Sequence, residues 1–490
     1  MARHVRLLIW LACACGRAWS QAQQTSPAPA VPRAATLAAP PSPTTYLNLP
    51  PPSIRPDPFR GSTPAGKATA GVLPLSLNDA ITRSLQYNLG LTSAGEQAAS
   101  ARAARLRALS ALLPNLTTAT SITREQVNLA AFGFTGFPGI PQTVGPFNVV
   151  DTRAFLDQSV LNFTALNIRR AANQNARAAL YSVQDARDTV VYVVVSLYLE
   201  AIAGTARITA SEAQVSTSQA LYNLAADQRK AGIVPGIDVL RAQVELQSQQ
   251  QRLIFYINEF EKQKLNLARA IGLPTGQRFS LTDHAPYAPL EEITLEQALD
   301  RAFVTRADYK SAQLLIRAAE FNIDAARAER FPSFDINGNY GDIGQRITQS
   351  HGTFSISGTM RVPIFQGGRV RADIQQSEAD LRLRRAEAED LRGRIDADVR
   401  TAFLDLRSAE EQLKLAQSSI ELSRQQLQQS QDRFAAGVTN NIEVVQAQES
   451  VATSYENYIS SLYSYNLAKA SLARALGLTA EAIKSFLGGP

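Results

Sequence analysis

Cysteine is nearly absent from this 490-residue chain, and the two it has, Cys13 and Cys15, sit at its extreme N-terminus. Everything beyond them offers no disulfide framework, no thiolate metal ligand and no cysteine nucleophile. Both tryptophans, Trp10 and Trp19, lie in the same short segment. His284 and His351 stand alone, with no carboxylate or thiol at ligand spacing, which argues against a metal site. Glycine-rich phosphate loops, a nucleophile elbow and a His-Glu-x-x-His pair are also missing. No enzyme and no cofactor are expected. Long apolar runs are absent after the N-terminus: Val190–Leu199, the richest stretch, is interrupted by Tyr192, Ser196 and Tyr198, so no membrane-spanning helix is expected. Nor is charge one-sided. The formal +6 falls to about +3 without Arg3, Arg6 and Arg17, too little to argue for nucleic acid.

What is present begins with an export signal. Arg3 and Arg6 precede an apolar core from Leu7 to Ala14, and Ala18-Trp19-Ser20 has the small-x-small form of a cleavage site. Residues 1–20 are assigned to it. Residues 21–74 hold more than half of the 24 prolines, mixed with Ala, Ser and Thr. Such a composition buries too little apolar surface to offset its ordering entropy, and a disordered leader is expected.

The folded part is a duplication. Ala231-Gly232-Ile233-Val234-Pro235-Gly236-Ile237-Asp238-Val239 recurs as Ala436-Gly437-Val438-Thr439-Asn440-Asn441-Ile442-Glu443-Val444, and Leu267-Ala268-Arg269-Ala270-Ile271-Gly272-Leu273 recurs as Leu472-Ala473-Arg474-Ala475-Leu476-Gly477-Leu478. One register, Ala231 onto Ala436, serves both matches, so a pseudo-symmetric product is required. The openings repeat as well, Leu75–Ala80 against Ile293–Ala298. The repeats are placed at residues 75–280 and 281–478, with a tail at 479–490.

Each repeat starts with a helix of about 35 residues that stops before Pro114 or Pro332. The period then changes to two. Phe334, Ile336, Gly338 and Tyr340 alternate with polar residues, as do Phe354, Ile356, Gly358, Met360 and Val362. These runs of about ten residues suit tilted strands crossing a bilayer. Asn115–Gln126 and Asn148–Val160 are the weaker counterparts, joined through a Phe- and Gly-rich loop around 132–139. Two proline-free helices follow, from Asn167 and from Arg369, each about 95 Å long at 1.5 Å per residue. Val370, Ile374, Leu381, Ala388, Leu391 and Ile395 mark one coiled-coil seam; Val399, Phe403, Leu406 and Leu413 mark another. A return helix of about 36 residues then stacks on the opening helix to match the long one. Four strands per chain cannot close a barrel, and an open edge cannot sit in lipid. Two chains give eight strands with a filled interior; three give twelve with a lumen. The fold expected is mainly α with a β-barrel part.

The paired turns, the paired Leu-Ala-Arg-Ala-Ile/Leu-Gly-Leu ends and the junction Pro363-Ile364-Phe365-Gln366-Gly367-Gly368-Arg369 together give a chain that resembles the TolC family of outer-membrane efflux proteins, over about Leu75 to Leu478. The resemblance implies a homotrimer with a twelve-stranded barrel in the lipid of the bacterial outer membrane and a periplasmic α-helical tunnel. It also implies two partners, a periplasmic adaptor (membrane fusion protein) and an inner-membrane pump of the RND, MFS or ABC type. Glu443 and Gln446 match the acidic periplasmic constriction, with Gln446 departing from the doubly acidic pattern; a ring of Glu443 would attract cations. Asp238 matches a latch position; Thr439 and Phe434 stand where some members have an Arg and a Tyr as latch partners, so the charged latch is expected to be weakened or rebuilt through Arg241 or Asn440. The bland reading of Asp238 and Glu443 is that each serves the N-terminus of its return helix. Gly232 and Gly437 end helices, and with Val234 and Val438 they are expected to face the adaptor. Pro363, Gly367 and Gly368 are expected to manage the barrel-to-helix bend. Two other functions remain open at this stage: the outlet of a type I protein secretion system, and a non-pore periplasmic coiled-coil adaptor or scaffold.

Overall fold

Capping chemistry sets where the helices begin. In the computed structural model, which describes residues 57–133, 139, 141–283, 293–436, 438–439 and 441–478, Ser76 and Asp79 close a reciprocal capping box at the head of α1 (Leu77–Tyr87). Thr294 and Gln297 do the same for α5 (Leu295–Thr305). Neither helix runs on to its proline. Asn88 is extended, its side chain accepts from the Gly90 amide, and a new helix α2 (Leu89–Ser110) starts there; Arg306, also non-helical (ψ 125°) but without a side-chain cap, marks the same break before α6 (Ala307–Ala328). The single opening helix read from periodicity is thus two helices with a corner. A non-helical ψ at one residue leaves the apolar spacing on either side intact, so the pattern does not register it.

The leader is also shorter than composition indicates. From Asp57 onward the chain is strapped to the wall. Thr63 donates its amide to Tyr87 at 2.9 Å, Thr69 donates to the Gln277 side chain at 2.7 Å, and Ser62 donates to the Arg269 carbonyl. Phe59 lies where a Cβ on Gly90 would stand. The strap ends in β1 (Leu73–Leu75), which pairs in parallel with β4 (Phe279–Leu281). The export signal, the remainder of the leader, part of the Phe/Gly loop and the C-terminal tail lie outside the described residues.

Strands β2 (Asn115–Asn128), β3 (Thr143–Leu161), β5 (Ser333–Gly344) and β6 (His351–Arg361) form one antiparallel sheet in the order β2-β3-β5-β6. Its register sorts the side chains. Leu116, Leu156, Gly338 and Ile356 stand in one cross-strand row, and Ala154, Tyr340 and Phe354 in the row two residues along. On the alternate rows Asp157 faces Asn337 and Ser357, and Asn339 faces Ser355. Along these rows one face is mainly apolar and the other mainly polar, as strand alternation allows, with Thr118 in the Tyr340 row and Phe155 in the Asn339 row. β2 and β6 are the outer strands, each with a row of backbone groups unpaired within the chain.

The helices form a single-layered wall. α3 (Phe163–Lys230) is flanked on one side by α2 and α4 (Gly236–Ala270), and on the other by α6 and α8 (Asn441–Ala475). α7 (Arg369–Ala435) packs along α6 and α8. At about 1.5 Å per residue, α3 and α7 are each about 100 Å long. The main core lies partway along the wall. There Val190, Val191, Val194, Val195, Tyr198 and Leu199 of α3 meet Leu75, Ile81, Leu267, Ile271, Phe279, Ile395, Val399, Leu472 and Leu476. The apolar stretch of α3 is thereby buried among helix ends, and each such side chain contributes about 1.5–3 kcal/mol by leaving water.

Candidate functional site

At the foot of each long helix the chain reverses. Gly232 takes φ +74°, and the amides of Gly232 and Ile233 return to the carbonyls of Arg229 and Gln228 at 2.9 Å, closing α3 with a left-handed residue. The second tip is bonded alike, Val438 donating to the Arg433 carbonyl at 3.0 Å. Gly437 and Asn440 lie outside the described residues. Val234, expected on the surface, turns inward onto Leu221, Phe434 and Val444. A β-branched apolar side chain gains more from that small core than from water. Ile233, Ile237 and Val438 are among the exposed apolar residues of the tips instead.

Asp238 is buried in the first turn of α4, with Arg241 Nη1 3.2 Å from its Oδ1. Glu443 holds the corresponding place in α8 and has two partners. Arg433 donates to Oε1 at 3.0 Å across the hairpin, and the Thr439 hydroxyl donates to Oε2. Gln446 is exposed one turn further on. The structure thus joins Asp238 to Arg241 and Glu443 to Thr439, and adds Arg433, which the sequence reading missed. Ten residues separate Arg433 from Glu443, and no helical spacing rule links them until the hairpin folds.

At the other end of α7, Gly367 (φ +60°) and Gly368 (φ +89°) are consecutive left-handed residues, and Arg369 donates its amide to the Gln366 carbonyl at 3.1 Å. This turn follows Pro363 and carries β6 into α7. Ile364 and Phe365 project from it almost wholly exposed. The first repeat makes the same passage without glycine, through Asn162, whose side chain accepts from the Ala165 amide at 2.9 Å.

A charged layer crosses the wall beside the main core, and no motif announced it. Arg306 is buried and donates to Asp308 at 2.7 Å and to Asp398 of α7 at 3.0 Å. Burial alone would raise the Asp308 carboxyl, but the Arg306 hydrogen bond and charge hold it below the usual range. Arg474 joins α8 to Asp185 and Thr189 of α3. Asp188, buried alongside, is pushed up to about 6 by burial; Arg474 opposes that shift and Asp185 adds to it. Among the described residues no cluster suited to a metal ion is present.

The edges of the wall are unlike its interior. Leu199 of α3 is 4% exposed, whereas Leu404, its duplicate on α7, is 70% exposed. Ile459 of α8 is 7% exposed, whereas Ile254, its duplicate on α4, is 69% exposed. Leu265 on α4 and Leu415 on α7 are likewise exposed.

A channel-type outer-membrane fold and the family follow from two comparisons. The model of the outer membrane efflux protein family matches residues 80–273 and 298–478. The chain belongs to that family. Solved structures of the same fold include an outer-membrane protein of Vibrio cholerae, VceC (TM-score 0.71, 17% identity, covering 82% of this chain and 96% of that one), and a membrane protein of Pseudomonas aeruginosa (TM-score 0.72, 19% identity, 85% and 95%). Among curated relatives, the probable efflux pump outer membrane protein TtgC of Pseudomonas putida is 24% identical over 330 residues. That match covers 63% of this chain and 65% of the relative, just under two thirds of its length. The outer membrane protein OprJ of Pseudomonas aeruginosa is 27% identical over 328 residues, covering 63% and 65%.

Proposed function

We propose that three copies of this chain assemble into an outer-membrane exit duct of a tripartite efflux pump, a passive conduit running from the periplasm to the exterior. One observation carries the reading: the open edges of the sheet and of the helical wall coincide. α2 leads into edge strand β2 and α7 follows edge strand β6, so each bare strand edge continues into a helix at the border of the wall, with Leu106 exposed on α2 and Leu383, Leu404 and Leu415 exposed on α7. A neighbour that pairs β6 with its own β2 also sets its α2 and α4 against α7. Three copies close twelve strands, with the apolar face of the sheet toward lipid and the polar face toward a lumen. A soluble scaffold has no use for such a sheet.

The duplication supplies the packing of the new seam. Within one chain α3 receives α8; between chains α7 receives the next copy's α4 in the same register. Leu404 then meets Leu265 of the neighbour, as Leu199 and Ala470 share the main core, and Leu415 meets the neighbour's Ile254. The partners are a periplasmic adaptor and an inner-membrane pump, in keeping with relatives named as efflux pump outer membrane proteins. The adaptor meets the tips through Ile233, Ile237 and Val438. Because no cysteine follows Cys15, an engineered pair is free of background. Leu404→Cys with Leu265→Cys in one chain should give covalent trimers on oxidation. Uncross-linked monomer, with both thiols still reactive, overturns the assembly.

A further inference from the structure

We infer that the wall carries a binding site for a linear aliphatic polyamine, in a polar groove where α3, α4 and α8 meet. The site lies within one chain and goes beyond the duct reading. It is on the face of α4 opposite Ile254 and Leu265, so it stands whether or not copies join there. Clefts of about 260 and 210 Å³ make up the groove, and Arg207, Tyr256 and Glu456 line both. Gln249 and Ser211 line the first cleft and are only 1% and 4% exposed. Gln249 Nε2 donates to Glu245 at 2.7 Å, but its Oε1 is without a hydrogen-bond partner among the described residues, as is the Ser211 hydroxyl. Gln263 Oε1, in the second cleft, is buried and unpartnered in the same way, and it lies where a Cβ on Gly204 would stand.

Both arginines of the groove are turned to carboxylates. Arg207 Nε donates to Glu456 Oε1 at 2.8 Å and Arg252 to Glu449 at 3.2 Å, while Tyr256 donates to Glu456 Oε2 at 3.3 Å. What remains is acceptor capacity. A buried carbonyl left unpaired is unfavourable, and each carboxylate has lone pairs beyond those its partners use. A ligand that fits must bring N–H donors and positive charge. Gln249 and Gln263 stand on one face of α4, about 21 Å apart at 1.5 Å per residue, and Glu456 lies at the junction of the clefts. A compact cation reaches one end only; a chain with several amines along its length serves both.

The test is isothermal titration of the purified full chain in detergent with spermidine. Saturable binding of one molecule per chain is expected, and Gln249→Leu should weaken it about tenfold or more, as loss of a hydrogen bond to a charged group does. The same substitution removes an unpaired buried carbonyl, so the ligand-free melting temperature should hold or rise; weaker binding is then not a loss of fold. Gln250→Leu, at an exposed neighbouring position of α4, should bind as wild type. Tetramethylammonium, a cation without N–H donors, and Mg²⁺ should not displace spermidine at equal concentration. Folded protein that binds no spermidine overturns the inference, leaving clefts that hold water alone. Displacement by tetramethylammonium or Mg²⁺, or wild-type binding by Gln249→Leu, overturns it as well, since charge alone then accounts for the affinity. None of these results bears on the assembly of copies, which the cysteine cross-link decides.

Discussion

Truncating Leu404 to alanine tests the seam between copies most directly. In the lone chain this side chain is 70% exposed, so its substitution removes little from the protomer's own core. If α7 receives a neighbour's α4 there, closure buries most of the remaining surface. Full burial of a leucine contributes about 1.5–3 kcal/mol, so the exposed share corresponds to about 1–2 kcal/mol at each seam. A closed trimer has three seams, which makes the loss about 3–6 kcal/mol per assembly, or roughly two to four decades in the association constant. Detergent-solubilised protein diluted through its dissociation range and followed by light scattering reads this shift. Leu265→Ala should act similarly. Leu180→Ala, on the interior helix α3, should leave the association constant unchanged. If Leu404→Ala and Leu265→Ala dissociate at the wild-type concentration, the copied seam is wrong.

Three further outcomes are expected. Asp188→Asn should stabilise the protein at pH 7 by up to about 3 kcal/mol, since a native carboxyl raised to about 6 makes the ionised form costly at about 1.4 kcal/mol per pH unit. The sign is set by that raised value. The cost is fully present above pH 6 and is relieved toward pH 4, so thermal melts of the two proteins should converge on acidification; a constant offset would refute it. Arg306→Ala should cost about 3–5 kcal/mol, because it strands Asp308 half-buried without its partner; an unchanged melting temperature would exclude a structural role for the charged layer. Gly368→Ala should cost about 1–2 kcal/mol from the left-handed backbone alone, seen as a lower melting temperature with the helical circular dichroism retained.

Much of the architecture was legible in the chain, and for a local reason. Periodicity depends on neighbours a few residues apart, so the strands at Ser333–Gly344 and His351–Arg361, the long helix starting at Arg369 and the return helices all stand close to where alternation and apolar spacing put them. The breaks at Asn88 and Arg306 escaped because a single extended residue leaves those spacings undisturbed. The strap from Asp57 escaped because composition does not register hydrogen bonds to residues about two hundred positions away. At the tips, the sequence identified Glu443 by its place in a repeated turn but gave no sign of Arg433.

The amino-acid sequence by itself determined the duplication, the change of period at Pro114 and Pro332, and a sheet too small to close on itself, because each is a property of order along the chain. Only the tertiary structure decided which faces stay bare and which charges meet. Identical places in the two repeats, such as Leu199 and Leu404, differ in exposure because one helix has neighbours on both sides and the other stands at an edge. Position within the wall, which no stretch of sequence encodes, sets the fate of each side chain.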